Sequence, residues 1–170
     1  MKRTTIALTV ALLAAVGIVT SVVIAAAPPP DNEQLFGALS GANEVGPDGK
    51  KNAGDPDGSG GATGTIDDQP GPNSELCVGL VFKNIGTPTA SHIHRGKPSE
   101  AGPVVVGFFG PPTQTPPPPS GDPGSFSDCV TISDTLAAEL LKNPSHFYWN
   151  VHTQQFPGGA IRDQVFTKKA

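Results

Sequence analysis

Ala90-Ser91-His92-Ile93-His94-Arg95-Gly96 sets the pattern from which the fold is read. Along an extended strand, successive side chains point to opposite faces, so His92 and His94 share one face while Ile93 points away. The same alternation runs through a later stretch, Tyr148-Trp149-Asn150-Val151-His152-Thr153. There Phe147, Trp149 and Val151 fall on one face, and Tyr148, Asn150 and His152 on the other. Paired, the two strands place His92, His94, Asn150 and His152 in one polar cluster opposite an apolar face. Three of the chain's four histidines lie in these two segments.

Further strands extend on both sides of this pair. Leu35 to Ser40 begins the first. Gly61 to Ile66 and Glu75 to Phe82 read as two more around the turn Gln69-Pro70-Gly71-Pro72-Asn73. Leu76, Val78, Leu80 and Phe82 alternate with Cys77, Gly79 and Val81, the mark of a strand buried on one side. Pro103 to Phe109 is nearly continuous in β-branched and aromatic residues and reads as a central strand. Phe126 to Val130 resumes the core. Ala160 to Phe166 closes the chain as one strand after the turn Phe156-Pro157-Gly158-Gly159. One helix is expected, capped by Ser133 or Asp134, striped by Leu136, Leu140 and Leu141, and ended by Asn143-Pro144. Short strands, Gly/Pro turns and one late helix indicate a single all-β sandwich or barrel over residues 35–167.

The rest reads as connection. Residues 43–61 form a long loop, with Glu44 and Asp48 at its surface. Its Asp55-Pro56-Asp57-Gly58 lacks the EF-hand spacing, so it reads as a solvated turn. Residues 110–124, centred on Pro116-Pro117-Pro118-Pro119, span two core elements as an extended proline-rich loop.

The N-terminus carries an export signal. Met1-Lys2-Arg3 precedes an uncharged run from Ile6 to Ala27 that ends in small residues, with Ile24-Ala25-Ala26 as a cleavage motif. Its length suits either a cleaved signal peptide, residues 1–27, or a retained membrane anchor over residues 6–27. A Pro-led linker, residues 28–34, follows. Beyond the basic start, 9 basic residues stand against 15 acidic ones, about −6, which argues against a nucleic-acid partner. An exported chain meets an oxidising compartment, so Cys77 and Cys129 are expected to form a disulfide. Closing that loop stabilises by roughly 4 kcal/mol in the chain-entropy description.

Several of these pieces carry a resemblance. Leu39-Ser40-Gly41-Ala42-Asn43-Glu44-Val45, Ala90 to Gly96, Gly102-Pro103-Val104-Val105-Val106 and Leu140-Leu141-Lys142-Asn143-Pro144 occur in that order. Tyr148 to Thr153 and Phe156-Pro157-Gly158-Gly159-Ala160-Ile161-Arg162 complete the set. Residues 35–166 thereby resemble the CHRD domain, found in chordin and in bacterial exported proteins. Asp163 stands where the family usually has Gly, and Trp149 where it usually has Val. The resemblance implies an immunoglobulin-like β-sandwich or barrel, distantly similar to copper/zinc superoxide dismutases. It implies no settled activity.

Two functions compete. In the first, the chain is a non-enzymatic binding or structural module of the cell envelope, with an extracellular or envelope protein as its partner. Its histidines, supported by Asn150 and Arg162, then form a buried polar network. In the second, His92, His94 and His152 hold one copper or zinc ion, since imidazole suits both metals. The His92-Ile93-His94 pattern is similar to the copper-ligand strand of the dismutases, but their chemistry uses a fourth histidine and a zinc cluster. The only spare here, His146, sits just after the helix in Asn143-Pro144-Ser145-His146, and no zinc-site cluster is present, so dismutation is not expected. A Ser91 hydrolase is not expected either: Ser91 and His92 face opposite ways and no Gly-x-Ser-x-Gly elbow is present.

Overall fold

The computed structural model describes residues 33–112 and 116–168. Residues 1–27, read as export signal or anchor, lie outside them, as does most of the linker; Glu33 and Gln34 belong to the first strand instead. Among the described residues, no helix is long and apolar enough to cross a membrane.

Among the described residues, nine strands form two antiparallel sheets. In chain order they are β1 (Glu33–Gly37), β2 (Ser59–Asp68), β3 (Asn73–Lys83), β4 (Pro88–Arg95), β5 (Val104–Phe109), β6 (Gly124–Ser133), β7 (Phe147–Thr153), β8 (Ile161–Gln164) and β9 (Phe166–Thr167). The first sheet runs β6-β3-β2-β1-β9 and the second β5-β4-β7-β8. This is the all-β sandwich the alternation implied. The helix α1 (Asp134–Lys142) is capped by Ser133, whose Oγ accepts from the Leu136 N–H at 3.2 Å. It buries Ala137 and Leu140, so the apolar stripe is centred one position away from the leucines alone.

Inward side chains of the two sheets make one core. Leu35, Ala62, Leu76, Val78, Leu80 and Phe82 come from the first sheet; Ile93, Phe108, Phe147, Trp149, Val151 and Ile161 come from the second. Trp149 is the largest of them and reaches across the layers. Its Nε1–H donates to the Phe36 carbonyl at 3.0 Å, and its ring stacks on Phe108 with centroids 5.8 Å apart. Cys77 and Cys129 sit directly opposite on β3 and β6 and form the expected disulfide, closing a separation of 52 residues. It ties the exposed edge strand β6 to the sheet.

Three features differ from the reading of the chain. β5 is an edge strand, not a central one. Its apolar run is explained by cover on both faces: Phe108 enters the core while Phe109 packs on Phe126 of β6 at 4.8 Å. Phe126 and Val130 are only partly buried, because β6 lies at an edge and packs against the core rather than inside it. The last strand is broken in two. Arg162 and Gln164 stay with β7, the Val165 N–H donates to the Phe147 carbonyl at 2.8 Å, and Phe166 crosses to pair with Phe36 of β1. Ser40 joins the sheets on the same side, bridging Ser59 and Arg162. These two links partly close the sandwich into a barrel and set the loop after Ser40 over the outer face of β7 and β8.

Candidate functional site

The outer face of the second sheet carries the site. β4 and β7 pair with His92 opposite Asn150 and His94 opposite Tyr148, while Ala90 faces His152. Because alternate residues share a face, His92, His94, Tyr148, Asn150 and His152 all project to the same side, and the apolar partners point into the core. β8 adds Arg162 beside Asn150 and Gln164 beside Tyr148. The polar face is covered rather than open: His92, His94, Asn150 and Arg162 are buried.

The three histidines meet. One nitrogen from each ring lies within 4.8 Å of the others, and the ring centroids are 5.0 to 5.7 Å apart. Hydrogen bonding decides which nitrogens are free. His92 Nε2 contacts the Pro111 carbonyl at 2.5 Å, His94 Nδ1 the Gly102 carbonyl at 2.9 Å, and His152 Nδ1 the Pro157 carbonyl at 3.1 Å. A carbonyl oxygen only accepts, so each ring places its N–H there. A neutral imidazole has one N–H, so lone pairs remain on His92 Nδ1, His94 Nε2 and His152 Nε2. His92 Nδ1 and His152 Nε2 then face each other at 3.1 Å with no proton between them, and His94 Nε2 is buried without a partner. Three convergent lone pairs are a donor set for a cation.

The rings are held in the neutral form that such a set needs. Burial pushes His94 and His152 down to about 4, with the carbonyl contacts opposing weakly and neighbouring positive charge adding to the shift. Burial lowers His92 as well. The linkage has a definite sign. Below about pH 6.5 the unfolded histidines take up protons that folded His94 and His152 refuse until near pH 4 and that folded His92 also resists, so stability falls as pH drops through that window. The Glu44 carboxyl, raised by desolvation, acts the other way, since the folded chain protonates it first. Asp55, also raised by desolvation, acts as Glu44 does, but the three histidines are the groups whose ordinary values lie between pH 5 and 7, so the chelator-treated chain is expected to show a lower urea midpoint at pH 5 than at pH 7. An equal or higher midpoint at pH 5 would show that the rings are not shielded.

Behind the histidines lies a second layer. The Tyr148 ring stacks on His94 with centroids 4.8 Å apart and an interplanar angle of 7°, and its hydroxyl accepts from the Gly102 N–H at 3.1 Å. The Arg162 guanidinium sits 3.4 Å from the same ring's centroid. Arg162 is 1% exposed and donates to the Lys97 carbonyl at 2.9 Å and the Gln164 Oε1 at 3.2 Å. Its ion-pair partner is Glu44, at 3.9 Å.

Glu44 was expected on the loop surface and is instead 2% exposed. The turn after Ser40 folds it inward, next to Asn150 and Gly159; a Cβ on Gly159 would collide with its carboxylate. Asp128 and Glu100 accept instead from the nearby backbone N–H groups of Cys129 and Lys97. Asp163 accepts from the Ala38 N–H at 2.8 Å. The sequence does contain a signal for the Glu44 pair. Arg162 follows Ala160-Ile161 and precedes Val165, and a cation in a buried run requires a buried counter-charge.

The other candidates separate cleanly. His146 is exposed at the end of the short 3-10 turn Pro144–His146 and does not join the cluster. Ser91 donates to the Asn150 carbonyl at 2.9 Å, away from the histidine face. A second grouping, Glu75 with Cys77 and Cys129, has both sulfurs bonded to each other.

Fold and site together define a disulfide-tied β-sandwich module whose chemistry lies on one covered sheet face. Residues 35–165 match the CHRD domain family, and the chain belongs to it. An extracellular module fits that family and the disulfide. No curated protein and no solved structure matches the chain.

Proposed function

We propose that this CHRD module is an exported, non-enzymatic metal-binding protein of the cell envelope, holding one copper or zinc ion on His92, His94 and His152. The observation that carries the reading is the lone-pair clash: His92 Nδ1 and His152 Nε2 at 3.1 Å, both deprotonated by their carbonyl contacts. A cation between them converts a repulsion into two bonds and gives the orphaned His94 Nε2 a partner. The Pro111, Gly102 and Pro157 carbonyls fix ring orientation, as outer-shell groups do around metal-bound histidines. Bound there, the ion supplies Lewis acidity and a cross-link between β4 and β7.

Direct titration tests this. The full chain, without a polyhistidine tag, is stripped with chelator and titrated with copper and zinc. One equivalent is expected to bind, and His92→Ala, His94→Ala and His152→Ala should each abolish stoichiometric binding. A stripped wild-type chain that takes up no metal, with the three variants merely less stable, would overturn the proposal and leave the rings as ties between strands.

A further inference from the structure

We infer that the three-histidine cluster selects copper(I) over both zinc(II) and copper(II). This rests on the metal-binding reading above and names the ion it is built for. The donor set is three neutral imidazoles, with no carboxylate or thiolate among them. Zinc(II) takes four donors, completing a three-histidine set with a water, and copper(II) takes a tetragonal set, so both need a further ligand on this covered face whereas copper(I) does not. Monovalent copper is d10, has no demand for a fourth ligand and is satisfied by three nitrogens in a trigonal arrangement. With metal–nitrogen bonds of about 2.0 Å, such a trigon needs nitrogens about 3.5 Å apart. His92 Nδ1 and His152 Nε2 stand at 3.1 Å, and the set spans no more than 4.8 Å, so modest ring rotation closes it.

Charge points the same way. Taking an ion out of water costs roughly the square of its charge, so a dication loses about four times what a monocation loses on entering a buried site. Here the ligands return no negative charge to offset it. The fixed charge that reaches the rings is a cation: Arg162 lies on the Tyr148 ring that stacks against His94. Its positive charge bears on His94, while Glu44 is spent on Arg162 and its own backbone neighbour, Val45. A site of this charge penalises +2 far more than +1.

Competition decides it. The stripped full chain is titrated under nitrogen with copper(I), supplied as its acetonitrile complex, against a chromogenic cuprous chelator. Zinc(II) and copper(II) are titrated in parallel against chelators of known affinity. Copper(I) is expected to bind at least 100-fold more tightly than zinc(II), and X-ray absorption of the copper(I) form should show three nitrogen donors. Zinc or copper(II) binding as tightly as copper(I), or a fourth donor on copper(I), would overturn the selectivity while leaving the metal site intact. Binding of none of the three would instead remove the metal-site proposal, and this inference with it.

Discussion

Arg162→Ala is expected to destabilise the fold by roughly 3–5 kcal/mol, because it strands a buried carboxylate. Glu44 and Arg162 are both almost completely inaccessible. Their separation of 3.9 Å makes a loose ion pair, and the Glu44 Oε2 and Arg162 Nη1 atoms have no hydrogen-bond partner. The net worth of the pair over an apolar replacement is therefore small, whereas breaking it from one side is costly. The guanidinium also joins elements distant in sequence, bonding the Lys97 carbonyl, Gln164 and the Tyr148 face. The double replacement Glu44→Leu with Arg162→Met should recover most of the loss. Urea unfolding of the three chains with the disulfide intact measures this. A single-variant cost under about 1 kcal/mol, or a double variant no better than Arg162→Ala, would show that the pair does not carry the charge balance assumed.

Trp149→Ala should cost a similar roughly 3–5 kcal/mol, the usual range for emptying a large aromatic site. The indole is fully buried between the sheets, and its N–H satisfies the Phe36 carbonyl. Its space is shaped by a glycine. A Cβ on Gly37 would lie 2.4 Å from Trp149 Cδ1, so the indole fits only because that position has no side chain. Coupling follows from this contact. Gly37→Ala is expected to be strongly destabilising beside Trp149 and much better tolerated beside Trp149→Val, the residue the CHRD family usually places there. A double-mutant cycle should give a coupling above about 1 kcal/mol. Additive effects would mean that the glycine is retained for its backbone alone.

The candidate site was legible in the sequence to an unusual degree because it is built on strands. A period of two puts His92 and His94 on one face irrespective of what surrounds them, and the same period assigns Tyr148, Asn150 and His152. The apolar alternates Ile93, Trp149 and Val151 said which face was the core. Where local pattern was an incomplete guide, the assignment slipped. The apolar run from Val104 to Phe109 reports burial on both faces, and burial can come from a neighbouring edge strand and loop as well as from two flanking strands. The run from Ala160 to Phe166 reads as one strand, since nothing local marks Val165 as the residue where the chain leaves one sheet for the other.

Glu44 shows the limit most clearly. It lies in a segment rich in Gly, Asp and Asn, where a carboxylate is ordinarily solvated, and its own neighbours give no reason to bury it. Its position follows from Ser40 bridging the two sheets, which carries the following turn over β7 and β8. The carbonyls of Gly102, Pro111 and Pro157 that fix the histidine tautomers are equally invisible in sequence, because every residue has a carbonyl. Composition, charge and alternation by themselves determined the sandwich, the disulfide, the polar face and the three histidines on it, since each depends on side-chain identity and the two-residue repeat. Only the tertiary structure decided strand order, the Glu44–Arg162 pair and the direction of the three lone pairs, because these depend on backbone segments far apart in the chain meeting at one point.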